Sequence, residues 1–248
     1  MYESFASFYD VLTSDIDYGA WADYISELFS RHNLSPKLLA ELGCGTGNVT
    51  VQLCKKGYDV IGTDLSEEML SVARAKLDDE GFTHTMLLRQ DMTRLDLYGC
   101  VDGAVCCLDG MNYLTKTEQM QACLERVKLF LKPGGIFIFD MNSRWKFENV
   151  LDGNTFVYDE QDVYCVWQND YNRKTKLCDF YLTFFGEQRD GSYFRTDELH
   201  RERAYSQRHM EKLIKETDLS LLGVYGEFTF DEPKEDCQRL FYVVRKEN

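Results

Sequence analysis

Between residues 38 and 141 the apolar positions fall into two alternating patterns. Unbroken runs, "KLLAEL", "YDVIGTD", "THTMLLRQD", "VDGAVCCLD" and "GGIFIFDMN", predict strands buried on both faces. Between several of them the spacing becomes that of one helix face, predicting helices over 48–56, 66–79 and 116–131. In the second of these, Ser66 is the N-cap and Met69, Leu70 and Ala73 form the apolar stripe. "KPGG" at 132–135 stops the third helix and turns the chain into a strand. Apolar strands separated by helices predict a parallel sheet covered on both sides, an α/β fold.

Residues 155 to about 205 break this rhythm. "VYCVWQNDY", "KLCDFYLTFF" and "SYFRTDELHRERAY" are strand-like and aromatic, and "NRKT" and "RDGS" suit hairpin connections. An antiparallel sheet inserted after the fifth strand is expected. A helix over 206–217 and two further strands, "LSLLGVYGEF" and "RLFYVVRK", follow. The stretch before Ser35 reads as helical and carries Tyr2, Phe5, Phe8, Tyr9, Tyr18 and Trp21. The expected division is a helical lid at 1–34, a core at 35–150, the inserted sheet at 151–205, and a closing helix with the last two strands at 206–248.

Composition narrows the function classes. A formal charge of −14 opposes a nucleic-acid partner, whose affinity would come from neutralising phosphates. No apolar run approaches the roughly 20 residues that cross a bilayer. The start of the chain has no basic segment followed by an apolar one, which predicts a cytoplasmic protein. The nine cysteines show no C-x-x-C pair and read as small buried hydrophobes, and the four histidines are scattered, so no metal is expected.

The chemistry concentrates in "LLAELGCGTGNVTVQL". A strand ending in glycines and running into a helix leaves bare backbone N–H groups at the carboxyl edge of the sheet. The dinucleotide fingerprint G-x-G-x-x-G would place its third glycine at Asn48. Here the pattern is E-x-G-x-G-x-G, with Glu41, Gly43, Gly45 and Gly47. From Leu38 to about Asn142 the chain resembles the class I S-adenosylmethionine (SAM)-dependent methyltransferases. The resemblance implies a Rossmann-like seven-stranded sheet with its last strand antiparallel, and SAM as cofactor. Asp64, ending the second strand about 20 residues beyond the first, has two acceptor oxygens to match a vicinal ribose diol. It also suits the start of a helix. By the same resemblance, Asp91 lies near the adenine amino group and Met92 against the ring. The glycine turn (Glu41, Gly43, Cys44, Gly45), Leu65, Met69 and Leu108 complete the implied cofactor set.

The methyl acceptor belongs beside the fourth strand. Amino-methyltransferases of nucleic acids and of protein glutamine carry an Asn/Asp-Pro-Pro-Tyr/Phe clamp there. This chain has "LDGMNY", without proline, which argues against those acceptors. Asp109, Asn112 and Tyr113 become the candidate catalytic groups, Asp109 as base or as holder of an ammonium or hydroxyl. Asp109 and Asn112 could equally cap the following turn. "FASFYDVLTSDIDYGAW" is similar to the N-terminal lid of bacterial small-molecule methyltransferases, sugar-amine N-methyltransferases among them. That places Tyr9, Tyr18 and Trp21 over the cofactor's methionine end, where aromatic faces suit a sulfonium. The inserted sheet is expected to roof the acceptor pocket, with Arg144, Trp145, Tyr171, His200 and Arg203 as acceptor contacts. Among them His200 alone titrates near neutral pH.

The expected activity is methyl transfer to a nitrogen or oxygen of a small molecule, by a monomer or homodimer. A tRNA or protein methyltransferase and a non-enzymatic SAM-binding module remain alternatives.

Overall fold

A computed structural model describes residues 5–160, 163–188 and 190–247. Tyr2, in the N-terminal helical stretch, and Arg189, in the second hairpin connection, lie outside them. Two helices lead the chain, α1 (Phe5–Leu12) and α2 (Tyr18–Arg31), the second begun by the Asp17 carboxylate accepting from Ala20 N at 2.9 Å. The core then alternates: β1 (Leu38–Leu42), α3 (Asn48–Lys55), β2 (Asp59–Asp64), α4 (Glu67–Asp79), β3 (Met86–Arg89), β4 (Val101–Cys106), α5 (Thr117–Phe130) and β5 (Leu131–Asn142). The third helix ends as expected before "KPGG", but that segment already belongs to β5. It bulges between the Val101–Leu131 and Gly103–Ile136 pairs.

After β5 comes a single turn, α6 (Arg144–Lys146), continued by a wider turn over Phe147–Leu151. The insert has four strands, β6 (Thr155–Glu160), β7 (Val163–Asn172), β8 (Leu177–Glu187) and β9 (Tyr193–Arg203), paired antiparallel in sequence order. Then α7 (Gln207–Glu216), β10 (Leu219–Gly226) and β11 (Arg239–Lys246) return to the main sheet. Its order is β10-β11-β5-β4-β1-β2-β3, with β11 antiparallel to both neighbours. This is the expected class I arrangement.

The unbroken apolar runs have a direct cause. Ala40, Leu42, Ala104, Phe137 and Phe139 face α5 and α7, while Leu39, Val105, Ile136 and Ile138 face α2 and α3. Neither side of the central strands meets water. The insert keeps a smaller core of its own around Cys165, Phe180, Leu182 and Phe184, into which Phe8 of α1 is packed. Among the described residues no helix is long and apolar enough to cross a membrane.

Candidate active site

The chain reverses after β1 through glycines at positive φ, Gly43 (64°), Gly45 (54°) and Gly47 (79°), a left-handed conformation that costs other residues energy. Cys44 N donates to Thr63 O at 2.9 Å and ties the turn to β2, with the Cys44 sulfur tucked against Gly62. Gly47 stands at the N-cap of α3 with no capping side chain, so the first N–H groups of that helix face the carboxyl edge of the sheet. Asp64 accepts from Gly45 N and from Ser66 N, each at 2.8 Å, one bond per oxygen, which leaves lone pairs on both. A Cβ placed on Gly45 would meet no atom within 4 Å. The turn is a cradle with space above it and a carboxylate beside it, which fits the ribose and amino-acid parts of the implied cofactor.

Around this cradle the candidates separate. Leu65 is 66% exposed at its rim and Met69 is half-buried on α4. Met92 lies against the turn, its Cε 3.7 Å from where a Gly43 Cβ would be. Asp91 caps the short turn Met92–Arg94, accepting from Thr93 N and Oγ1 at 2.8 Å. Glu41 is placed differently from the expectation. It is buried beneath the turn, where Thr50 Oγ1 donates to it at 2.6 Å and burial pushes its carboxyl up to about 8.

Beyond β4 the backbone enters the left-handed region at Leu108 (57°) and Asp109 (56°). Two such non-glycine residues in succession are held only by strong local bonds. Asp109 N donates to Asp140 Oδ2 at 2.9 Å, and Arg239 at the start of β11 reaches both acids, Asp109 at 2.9 Å and Asp140 more closely. Burial alone would raise the Asp109 carboxyl, but Arg239 and Lys146 outweigh it and hold it below the usual range. Burial, opposed by Arg239, pushes Asp140 up to about 6. Glu202 of β9 is 1% exposed and accepts from Asn142 Nδ2 at 3.2 Å; burial and the neighbouring Asp109 drive its carboxyl far up.

Asn112 is fully buried and its carboxamide staples the insert to the core. It donates to Asn142 O (3.3 Å) and Arg203 O (2.9 Å) and accepts from Asn142 N (2.9 Å). Asp109 makes no side-chain cap to the turn it begins. The phenol of Tyr113 lies 3.3 Å from His200 Nδ1, and burial lowers the pKa of that imidazole.

The insert is tied to the segment after β4, where Asn112 Nδ2 donates to Arg203 O at 2.9 Å. On β9 the less exposed face carries Phe194, Thr196, Glu198, His200 and Glu202. Arg203 points the other way and donates to Thr115 O at 3.0 Å. Tyr171 is buried against Phe147, and Arg144 pairs with Glu148 at 2.7 Å. Trp145 is half-buried, its carbonyl accepting from Asn149. The period-two pattern in "ELHRER" places Glu202 with His200 and could have found it, as the single acid inside "IFIFDMN" could have found Asp140.

The N-terminal aromatics also divide. Tyr9 is half-buried beside Tyr18, Asp109 and Asp10, and burial raises its phenol. Tyr18 is half-buried near Thr13 and Asn48. Trp21, 4% exposed, packs edge-on against Phe228 and carries the Arg239 guanidinium over its ring at 5.3 Å. It therefore supports Arg239 from below. Between Phe8 and Tyr18, Asp10 accepts from Thr46 Oγ1 (2.6 Å), Asn48 Nδ2 (2.8 Å) and Lys76 Nζ (2.9 Å), fixing α1 to the glycine turn.

Residues 39–135 match the family described as a methyltransferase domain. YqeM of Bacillus subtilis (strain 168), named as a methyltransferase, is 32% identical over 250 residues, covering 99% of this chain and 97% of that one. A crystal structure of an S-adenosylmethionine-dependent methyltransferase from Clostridium acetobutylicum ATCC 824 superposes with a TM-score of 0.89 at 35% identity, with 98% of each chain covered. Over 62% of its length the chain is 31% identical to dTDP-3-amino-3,4,6-trideoxy-α-D-glucopyranose N,N-dimethyltransferase of Streptomyces venezuelae, of which 63% is covered. The full-length likenesses and the strand order agree with the glycine turn and its acid: the chain belongs to the class I SAM-dependent methyltransferases, enzymes whose cofactor is S-adenosylmethionine.

Proposed function

We propose that this enzyme methylates a nitrogen or oxygen of a small molecule, with an amine as the favoured acceptor. The observation that carries the reading is the gathering of carboxyl groups about the half-open Tyr113, which we read as an acid-lined recess. That side chain keeps 44% of its surface open, and its phenol is raised by burial first and then by Glu202, Asp109, Tyr9 and Asp64. Acids of β9 and β2 and of the segment after β4 thus act on one phenol. A recess bordered by carboxylates attracts an amino group and disfavours a polyphosphate. The likeness to a named amino-sugar N,N-dimethyltransferase supports the same choice.

SAM, when bound, supplies an electrophilic methyl group. Asp64 would hold the ribose hydroxyls, the α3 N-terminus and the glycine turn the amino-acid part, and Met92 the adenine face. Tyr9 and Tyr18 would close the methionine end and exclude water. Tyr113 and His200 would orient the acceptor lone pair, and the Asp109 carboxylate would draw in its cationic form before deprotonation. Asn112 would act by positioning, since its carboxamide is committed to backbone.

Incubation with methyl-labelled SAM and a panel of amino sugars, simple amines, phenols, tRNA and peptides tests this. Label is expected in an amine. Label confined to tRNA or peptide, or in no acceptor, would overturn the assignment.

A further inference from the structure

Tyr113 is 44% exposed, yet its neighbours in the chain, Asn112 and Leu114, are buried. A side chain with this much open surface is not fixed by packing, so its direction follows from its backbone and rotamer. That backbone is anchored to the end of the insert by three hydrogen bonds. Asn112 Nδ2 donates to Arg203 O at 2.9 Å, Arg203 Nη1 donates to Thr115 O at 3.0 Å, and Tyr205 Oη donates to Leu114 O. Arg203 therefore grips the segment twice, with its carbonyl before Tyr113 and its guanidinium after it. The Tyr205 ring, 5.3 Å away, carries that guanidinium on its face. On the core side Asn112 accepts from Asn142 N at 2.9 Å, so the turn cannot follow the insert away from β5.

His200 precedes Arg203 by three residues on β9, and strand alternation puts the two side chains on opposite faces. One strand thus presents an imidazole to Tyr113 from one face and holds the backbone beyond Tyr113 from the other. The two rings meet edge-on, at 85° with centroids 5.9 Å apart, and the phenol oxygen lies 3.3 Å from His200 Nδ1. We infer, on the reading above that Tyr113 and His200 orient the acceptor, that Arg203 is a positioning residue for that pair. It acts through Thr115 O and Asn112, fixing the backbone on both sides of Tyr113 and so setting the phenol against His200. Its own guanidinium is committed to a main-chain oxygen and touches no acceptor.

Nuclear magnetic resonance of the whole enzyme bound to S-adenosylhomocysteine tests this without an acceptor. The His200 ring signals are assigned by their loss in His200→Gln. In the unmodified enzyme the Tyr113 and His200 rings should show a nuclear Overhauser contact. Arg203→Met keeps an unbranched apolar stem and loses the donor. It should abolish the contact and shift the His200 signals, leaving those of His32 and His84 in place and the S-adenosylhomocysteine affinity unchanged. Arg203→Lys, which keeps a donor for Thr115 O, should restore the contact. With methyl-labelled SAM and the amine that takes label, Arg203→Met should lose about tenfold or more in kcat at an unaltered KM for SAM. Unmoved His200 signals in Arg203→Met, or a loss of S-adenosylhomocysteine affinity in step with their shift, would overturn the positioning role. Absence of the ring contact in the unmodified enzyme would overturn it whatever the fate of the variants. Label in no acceptor would instead overturn the acceptor reading, and the spectra would still decide whether Arg203 sets the pair.

Discussion

A Cβ on Gly45 points into open space, whereas one on Gly47 would come within 2.9 Å of Ala73 Cβ on α4. Both glycines have positive φ, so alanine at either costs about 1–2 kcal/mol in backbone strain. At Gly47 overpacking adds roughly 1–3 kcal/mol. Thermal melts should therefore show Gly47→Ala as the less stable variant. Titration with S-adenosylhomocysteine should show Gly45→Ala losing about tenfold or more in affinity, because its methyl group occupies the cradle. Glu41 gives a second prediction at this scale. Its carboxyl titrates near 8 in the folded chain, above the unfolded range, so the unfolded state loses this proton first. Its contribution to stability is complete below the unfolded pKa and is lost as pH rises toward 8. Glu41→Gln can keep the Thr50 bond and removes the titration. The melting-temperature difference, variant minus native, should grow between about pH 5 and about pH 8; a flat difference would refute the assignment.

Among the elements, α1 is too short to be stable alone and depends on what it touches. Successive helical residues project about 100° apart, and Phe8, Tyr9 and Asp10 use this to meet three different structures. Phe8 packs into the insert, Tyr9 lies near Tyr18 and Asp109, and Asp10 accepts from Thr46 of the glycine turn. Charge-assisted bonds such as those of Asp10 contribute about 1.5–3 kcal/mol each. Asp10→Ala is expected to speed S-adenosylhomocysteine release about tenfold in stopped-flow experiments, with circular dichroism unchanged. Release at the native rate would show that the latch does not guard the cofactor. This latch was hidden in the sequence: "FYD" reads as one turn of an amphipathic helix, and its partners Thr46, Asn48 and Lys76 lie far along the chain. The parity of β9, by contrast, was readable. His200 and Glu202 share one face of β9, and Arg203 lies on the other, as strand alternation requires.

Over the whole molecule, two packing units meet at α1 and at the end of β4. Phe8 stacks on Phe184 at 5.2 Å and lies 5.8 Å from Phe194, while Asn112 ties the end of β5 to the end of β9. Phe8→Ala should cost about 3–5 kcal/mol of local stability. Hydrogen exchange should then quicken together in α1, β8 and β9, with β1 and β4 unaffected. Quickening in α1 alone would mean that the insert stands without it. Part of the formal charge of −14 is gathered about Tyr113, where Glu202, Asp109 and Asp64 raise its phenol after burial has done so.

Local pattern sufficed for the α/β core, the inserted antiparallel sheet, the glycine turn and the acid at the end of β2. Each depends on residues close in sequence, where apolar period and backbone freedom act directly. The charge cluster under the recess did not follow from pattern. Asp109, Asp140, Lys146, Glu202 and Arg239 come from separate elements, and their protonation is set by burial and by one another. Those conditions exist only once β5, β9 and β11 have brought the five side chains together, with Asp140, Glu202 and Arg239 buried.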